Sequence, residues 1–174
     1  MTFPSLHPTA TTPDTTLFRE AFRDHPAGLA VITATGADGP VGLTASSVSS
    51  VSADPPALMF SLSGATTAPV LAAADTVVVH LMDSEQIDVV HAFATPGADR
   101  FTEETDWVIL PTGEPLLLNT VWALRCAVTD RVAVGASQVL IATVLDIRSA
   151  ASAGDPLVYH DRTFHRLGQH SRIP

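Results

Sequence analysis

At 174 residues the chain has room for one domain, and 46% hydrophobic against 16% charged residues is enough to fill a sizeable core. A net charge of −9, with nine basic residues that are all arginine, excludes a basic face for nucleic acid or membrane lipid and leaves arginine, hydroxyls and backbone N–H groups to hold any anion. The single cysteine, Cys126, excludes an internal disulfide and a thiolate zinc centre; with no leader-like start and no apolar run of membrane length, the expected compartment is cytoplasmic.

Residues 1–14 are rich in Thr and Pro and read as a flexible N-terminal segment, and 15–170 read as a single domain. The domain opens with a helix over Thr15–His25, capped by Thr15 or Thr16, with Leu17, Phe18, Ala21 and Phe22 on one face and Pro26 as its stop. Leu29–Ala34 is a β-type run and Gly36–Pro40 has turn chemistry, so a hairpin leads into a serine-rich stretch from Gly42 to Pro56. Recurring apolar positions in that stretch (Leu43, Ala45, Val48, Val51) and the apolar run after it distinguish it from a linker. Its hydroxyls and backbone N–H groups suit phosphate oxygens or the polar edge of a flat ring.

Ala57–Leu62 is a strand, Thr66–Ala74 a short helix with Pro69 in its first turn, and Thr76–Leu81 a valine-rich strand. Asp83–Ala94 reads as a helix capped by Asp83 or Ser84, with Ile87, Val90 and His91 inward; Pro96–Asp106 reads as a loop. Strands resume at Leu116–Asn119, Ala123–Val134, Gln138–Ile147, Leu157–Tyr159 and Arg162–Leu167. Many strands with a few short helices, and no regular alternation of the two, give a mainly β class: a barrel with peripheral short helices.

Dinucleotide and P-loop glycine signatures, a Gly-x-Ser-x-Gly elbow and metal-ligand spacing are all absent, so hydrolase chemistry and a metal centre are not expected. What remains is a set of anion and ring contacts. Thr44, Ser46, Ser47, Ser49, Ser50 and Ser52 are followed by Ser61, Ser63, Thr66 and Thr67, the threonines at a helix start that suits phosphate but is equally explained by capping. Arg100 is the best single cation for a phosphate, and Phe101 beside it either packs on a ring or anchors its loop. Tyr159, His160 and Phe164 are candidate pocket residues or barrel-rim positions; His80 and Cys126 read as core, and Trp107 and Trp122 as core or interface anchors.

These motifs, in this order, resemble the flavin reductase family with the FMN-binding split β-barrel fold, over about Phe18 to Leu167. The resemblance is carried by Phe18-Arg-Glu-Ala-Phe-Arg, His25-Pro-Ala-Gly-Leu-Ala-Val-Ile-Thr, the whole run from Gly42 to Pro56, Val78-Val-His-Leu-Met82, Phe93-Ala94, Asp99-Arg-Phe101, Pro156-Leu-Val-Tyr-His160 and Phe164-His-Arg-Leu167. It implies that Thr44, Ala45, Ser46, Ser47 and Val48 line the flavin ring, and that Ser61, Ser63, Thr66, Thr67 and Arg100, with Phe101 beside it, surround the ribityl phosphate.

The implied activity is NAD(P)H:flavin oxidoreduction, with FMN or FAD as the flavin, in a homodimer that supplies reduced flavin to a partner flavin-dependent monooxygenase. Two features depart from the family pattern. The loop at Ser63-Gly-Ala carries no basic residue, and Gly135-Ala-Ser-Gln138 stands where many members have Gly-Asp-His. Ser137, His160 and Phe164 are then the candidates for orienting the nicotinamide. The alternatives are a flavin-binding carrier or sensor without nicotinamide turnover, and a split-barrel dimer that binds no flavin.

Overall fold

The computed structural model describes residues 12–64, 66–149 and 154–173, so most of the segment read as flexible lies outside it. Helix α1 (Thr15–Arg23) is capped by Asp14, whose carboxylate accepts the Thr16 N–H at 2.7 Å. The cap therefore falls one residue before the expected threonines, because the side-chain oxygen must stand outside the first turn to reach its free N–H groups. The apolar spacing of α1 is present, yet none of its residues is buried, and Phe18 and Phe22 are each 62% exposed with ring centroids 4.8 Å apart.

In chain order there follow β1 (Ala27–Gly28), β2 (Ala30–Gly36), β3 (Gly39–Ala45), β4 (Ser49–Ala53), β5 (Pro56–Ser63), α2 (Ala68–Ala73) and β6 (Thr76–Leu81). A 3-10 turn at Ser84–Gln86 leads into α3 (Ile87–Ala94), and then come β7 (Trp107–Ile109), β8 (Pro115–Leu117), β9 (Trp122–Val134), β10 (Ser137–Ser149), β11 (Leu157–His160) and β12 (Thr163–Arg166). Seven strands form an antiparallel sheet in the order β3-β2-β6-β9-β10-β5-β4. Beside it lie a three-stranded sheet, β1-β11-β12, and the β7–β8 pair.

The large sheet is curled into a split barrel. Its interior cluster takes Ile32 and Leu43 from one end, Val79 and Cys126 from the middle, and Phe60, Leu62 and Leu140 from the other. A flat sheet cannot bring those ends onto one core. Register shifts at Ile141/Ala142 and Val144/Asp146 between β9 and β10, and at Ser50/Ser52 between β4 and β5, supply the added twist. The strongly alternating β5 turns Leu58, Phe60 and Leu62 inward and Met59 outward.

β2 is buried on both faces, because a second cluster covers the barrel's outer side there. Val31, Met82, Val90, Phe93, Leu117 and Leu157 meet beneath α3, β8 and β11. His80 on β6 stitches these layers: its Nδ1 bonds the Val31 carbonyl at 3.1 Å and its Nε2 accepts the Leu117 N–H at 3.0 Å. Those partners fix the neutral Nδ1–H tautomer, and burial holds the pKa down at about 4, against a smaller upward pull from the Val31 carbonyl. His80 is thus a satisfied core histidine, as its place among valines implies.

Glu114, also buried, is bound by Arg125 (Nη2 to Oε1, 2.8 Å) and by the Thr112 hydroxyl. Burial pushes its carboxyl up, but the bonds from Arg125 and Thr112 outweigh that and hold it at about 2.

Several expectations move. The serine-rich stretch ends in a strand, β4, and the chain after the 96–106 loop forms β7, which pairs with β8. His91, expected inward on α3, is exposed and lies edge-on to Phe164 at 4.8 Å. Trp122 is nearly half exposed, whereas Trp107 packs against Phe101.

Candidate functional site

Where β3 and β5 end, the barrel stops and the chain leaves a cleft of about 480 Å³. Its walls are Thr44, Ala45, Ser46 and Ser47 on one side, Ser61, Ser63, Gly64 and Thr66 on another, and α3 with the β11–β12 hairpin across from them. Leu29, Leu43, Val90, Phe93 and Phe164 make it apolar below a rim of hydroxyls. Gly42 is what lets α3 come so close: a Cβ there would lie 2.6 Å from Phe93 Cε1 and 3.0 Å from the Ile32 carbonyl oxygen.

Not every hydroxyl on the rim is available. Thr44 donates to the Val90 carbonyl at 2.8 Å, tying β3 to α3, and the Ser47 hydroxyl is engaged with the Ser61 backbone. Among the described residues Ser46, Ser61, Ser63, Thr66 and Tyr159 make no side-chain hydrogen bond and line the cleft. Arg100 is the one cation on the described walls. Its Nη2 donates to the Thr95 carbonyl at 3.0 Å, while its Nε is buried with no partner. A buried N–H left unsatisfied costs about 1–3 kcal/mol, so Arg100 is held with a donor in reserve.

Of the residues singled out in the sequence, the cleft gathers Thr44, Ala45, Ser46, Ser47, Ser61, Ser63, Thr66, Arg100, Tyr159 and Phe164. It does not gather Val48, Thr67, Phe101, Ser137 or His160. Val48 packs on the barrel core, and Thr67 sits behind the wall with its hydroxyl 3.4 Å from the Gly42 carbonyl oxygen. Phe101 is wedged between Phe93 and Trp107, ring centroids 5.2 and 5.0 Å away, and acts as a loop anchor.

Ser137 faces Ser63 across the β5–β10 ladder and lines not the cleft but a neighbouring depression of about 750 Å³ beside α2, which shares Leu62, Ser63 and Gly64 with it. His160 lies in a larger groove, about 1040 Å³, which runs under α1 and joins the cleft at Ser46, Ser47, Ser61 and Tyr159. Leu29, Val90 and Pro96 line the cleft without having been named as site residues; Leu29 and Val90 read only as strand and helix core, and Pro96 as loop, until the fold places them at its edge.

The described walls of the cleft hold no carboxylate, and no cluster of three His, Cys, Asp or Glu suited to a metal occurs among the described residues. Its chemistry is that of a receptor for a ring with a polar edge and a single anionic tail. The sequence model of the flavin reductase like domain matches residues 22–168. The chain belongs to that family.

An NADH:FMN oxidoreductase of Rhodococcus qingshengii is 37% identical over 159 residues, covering 87% of this chain and 83% of that one. Among solved structures, the NADH:FAD oxidoreductase of Streptomyces globisporus in complex with NAD and FAD fragments superposes with a TM-score of 0.80 at 27% identity, covering 91% and 96% of the two chains. The flavin reductase component of a bacterial two-component tryptophan halogenase gives 0.77 at 26% identity, covering 88% and 98%. The mainly β fold with short peripheral helices is thus the split barrel of flavin reductases. The residues present suit such a cofactor: uncommitted hydroxyls and an arginine with a spare N–H for a phosphate, and an apolar floor for a ring.

Proposed function

We propose that the chain is an NAD(P)H:flavin oxidoreductase that takes FMN in the cleft. The observation that carries this reading is the buried, unpartnered Nε of Arg100 on the wall of a cleft without carboxylates. Bound there, the flavin supplies the chemistry by accepting a hydride from nicotinamide C4 at N5.

The chain's own work is to bind and orient. Arg100, with Ser61, Ser63 and Thr66, holds the ribityl phosphate by charge-assisted and hydroxyl bonds. Backbone N–H groups of the Ala45–Ser47 link meet the polar edge of the ring, since the Thr44 and Ser47 hydroxyls are already committed. Leu29, Phe93 and Phe164 exclude water from the ring's surroundings. The walls offer no acid–base pair, and hydride transfer between two cofactors requires none.

A homodimer is supported by uncovered apolar residues on the long β9–β10 hairpin: Val132, Val134, Leu145 and Ile147 are each about half exposed. Resemblance to a reductase component of a two-component halogenase supports delivery of reduced flavin to a separate oxygenase. No described helix is long and apolar enough to cross a membrane.

The test is NADH and NADPH oxidation with added FMN and FAD. A rate above the enzyme-free control is expected, and a rate equal to it overturns the reading. Flavin binding without bleaching by NAD(P)H would make the chain a carrier or sensor instead.

A further inference from the structure

We propose that the groove beneath α1 seats the pyrophosphate of the dinucleotide hydride donor, with Arg19, Arg23 and Arg162 as the clamp. This rests on the oxidoreductase reading and adds to it a site for the donor's non-reacting half. The groove opens directly into the flavin cleft through Ser46, Ser47, Ser61 and Tyr159, so a molecule lying in it reaches the flavin ring at one end.

Charge singles the groove out. The chain has twice as many acidic as basic residues, nine arginines against eighteen carboxylates. Yet the groove collects three arginines and one carboxylate, Asp161. Elsewhere Arg125, Arg131, Arg148 and Arg166 each have a carboxylate partner. Among the described residues Arg19, Arg23 and Arg162 have neither an ion pair nor a side-chain hydrogen bond. A local excess of positive charge on an acidic protein attracts an anion, and planar guanidinium groups match phosphate oxygens bidentately.

Arg23 suits the last turn of α1, but its repulsion with Arg19 and the backbone at Arg162 both oppose this placement. Arg19 and Arg23 stand four apart on α1, where like charges meet and weaken the helix. Arg162 occupies the second place of the β11–β12 turn with φ +60, after Asp161 at φ +45. That left-handed pair favours Asn-Gly or Asp-Gly, and a long side chain in the second place is strained. The Asp161 N–H donates to the Arg23 carbonyl at 3.1 Å, pinning the turn against the end of α1 and bringing the arginines of both elements to one groove. Beside them the exposed Phe18–Phe22 pair offers a face on which a purine stacks.

The test compares two hydride donors, NADH and benzyl dihydronicotinamide, the second of which carries no phosphate. Arg162→Gly relaxes the turn and is expected to fold at least as stably as the parent. The clamp requires its kcat/KM for NADH to fall about tenfold through KM, with a fall of less than about twofold for the benzyl donor. The Arg19→Ala/Arg23→Ala pair should behave alike, and Arg162→Lys should recover part of the NADH loss. Equal losses for both donors, or an unchanged KM for NADH, overturn the clamp. So does a shift of the variants to a different oligomeric state by light scattering, which would mean that another copy of the chain fills the groove.

Binding of ADP-ribose to FMN-loaded protein, followed by calorimetry, reads the clamp without turnover. Binding that is lost in Arg162→Gly supports the clamp even if no donor is oxidised, in which case only the oxidoreductase reading falls. No binding to the parent protein removes the clamp while leaving that reading to the turnover assay.

Discussion

The Ser47 hydroxyl closes a ring of two hydrogen bonds on Ser61: it accepts the Ser61 N–H at 2.9 Å and reaches the Ser61 carbonyl at 3.2 Å. The pair latches the link after β3 onto β5 where those strands approach without forming a ladder, and both residues line the cleft. Ser47→Ala removes both bonds and leaves a part-buried N–H unpaired. A loss of about 1–2 kcal/mol in urea unfolding is expected, with FMN affinity falling several-fold because the seat loosens. Unchanged stability and affinity would show that the latch positions nothing.

Arg100 is the test of the phosphate end. Arg100→Ala should weaken FMN binding about tenfold or more, as for a lost charge-assisted contact, and leave riboflavin, which has no phosphate, nearly unaffected. Fluorescence titration with both ligands reads this. Equal losses for the two would assign Arg100 to loop structure through its bond to the Thr95 carbonyl.

Gly42 is needed for space rather than for backbone freedom. In Gly42→Ala the new Cβ overlaps Phe93, with the Ile32 carbonyl blocking retreat, so the ring is driven toward the cleft it lines. The expected cost is about 1–3 kcal/mol of stability together with weaker FMN binding. Adding Phe93→Leu should restore part of the stability; a double variant no better than Gly42→Ala would rule out this clash.

His80 predicts a pH window. Its folded pKa, about 4, lies below the ordinary 6.5 of the unfolded chain, so between those values the unfolded state binds the extra proton. The stability is fully present above about 6.5 and is lost as pH falls toward 4, by about 3 kcal/mol for this shift. Glu114, held at about 2, acts lower: its contribution is lost as pH falls from 4.5 toward 2. Urea unfolding of the parent and His80→Gln at pH 7, 6, 5 and 4 separates the two. His80→Gln should have the flatter profile above pH 4.5, and equal slopes would remove His80 as the cause.

Much of the fold was legible in the residues. The β6 strand over Thr76–Leu81 has the bounds that its valines suggest, and α3 follows an Asp83 cap as expected, with one 3-10 turn between them. Local rules sufficed there because strand propensity and capping act within a few residues. They failed at α1, where amphipathic spacing implied a covered face and the structure leaves Phe18 and Phe22 open. Periodicity reports that a face is apolar and is silent about what meets it.

By itself the sequence determined the class of strands and short helices and the family, and it singled out the serine-rich stretch and Arg100 as candidates for a site. Tertiary structure alone decided which of those groups are free to act. Thr44 is engaged by Val90 and Ser47 by Ser61, Phe101 is wedged behind the wall, Ser137 stands off beside Ser63, and arginines from α1 and the β11–β12 turn share one groove. The reason is physical: whether a hydroxyl or guanidinium is available depends on partners supplied by distant parts of the chain, and only the curled sheet brings them within hydrogen-bonding reach.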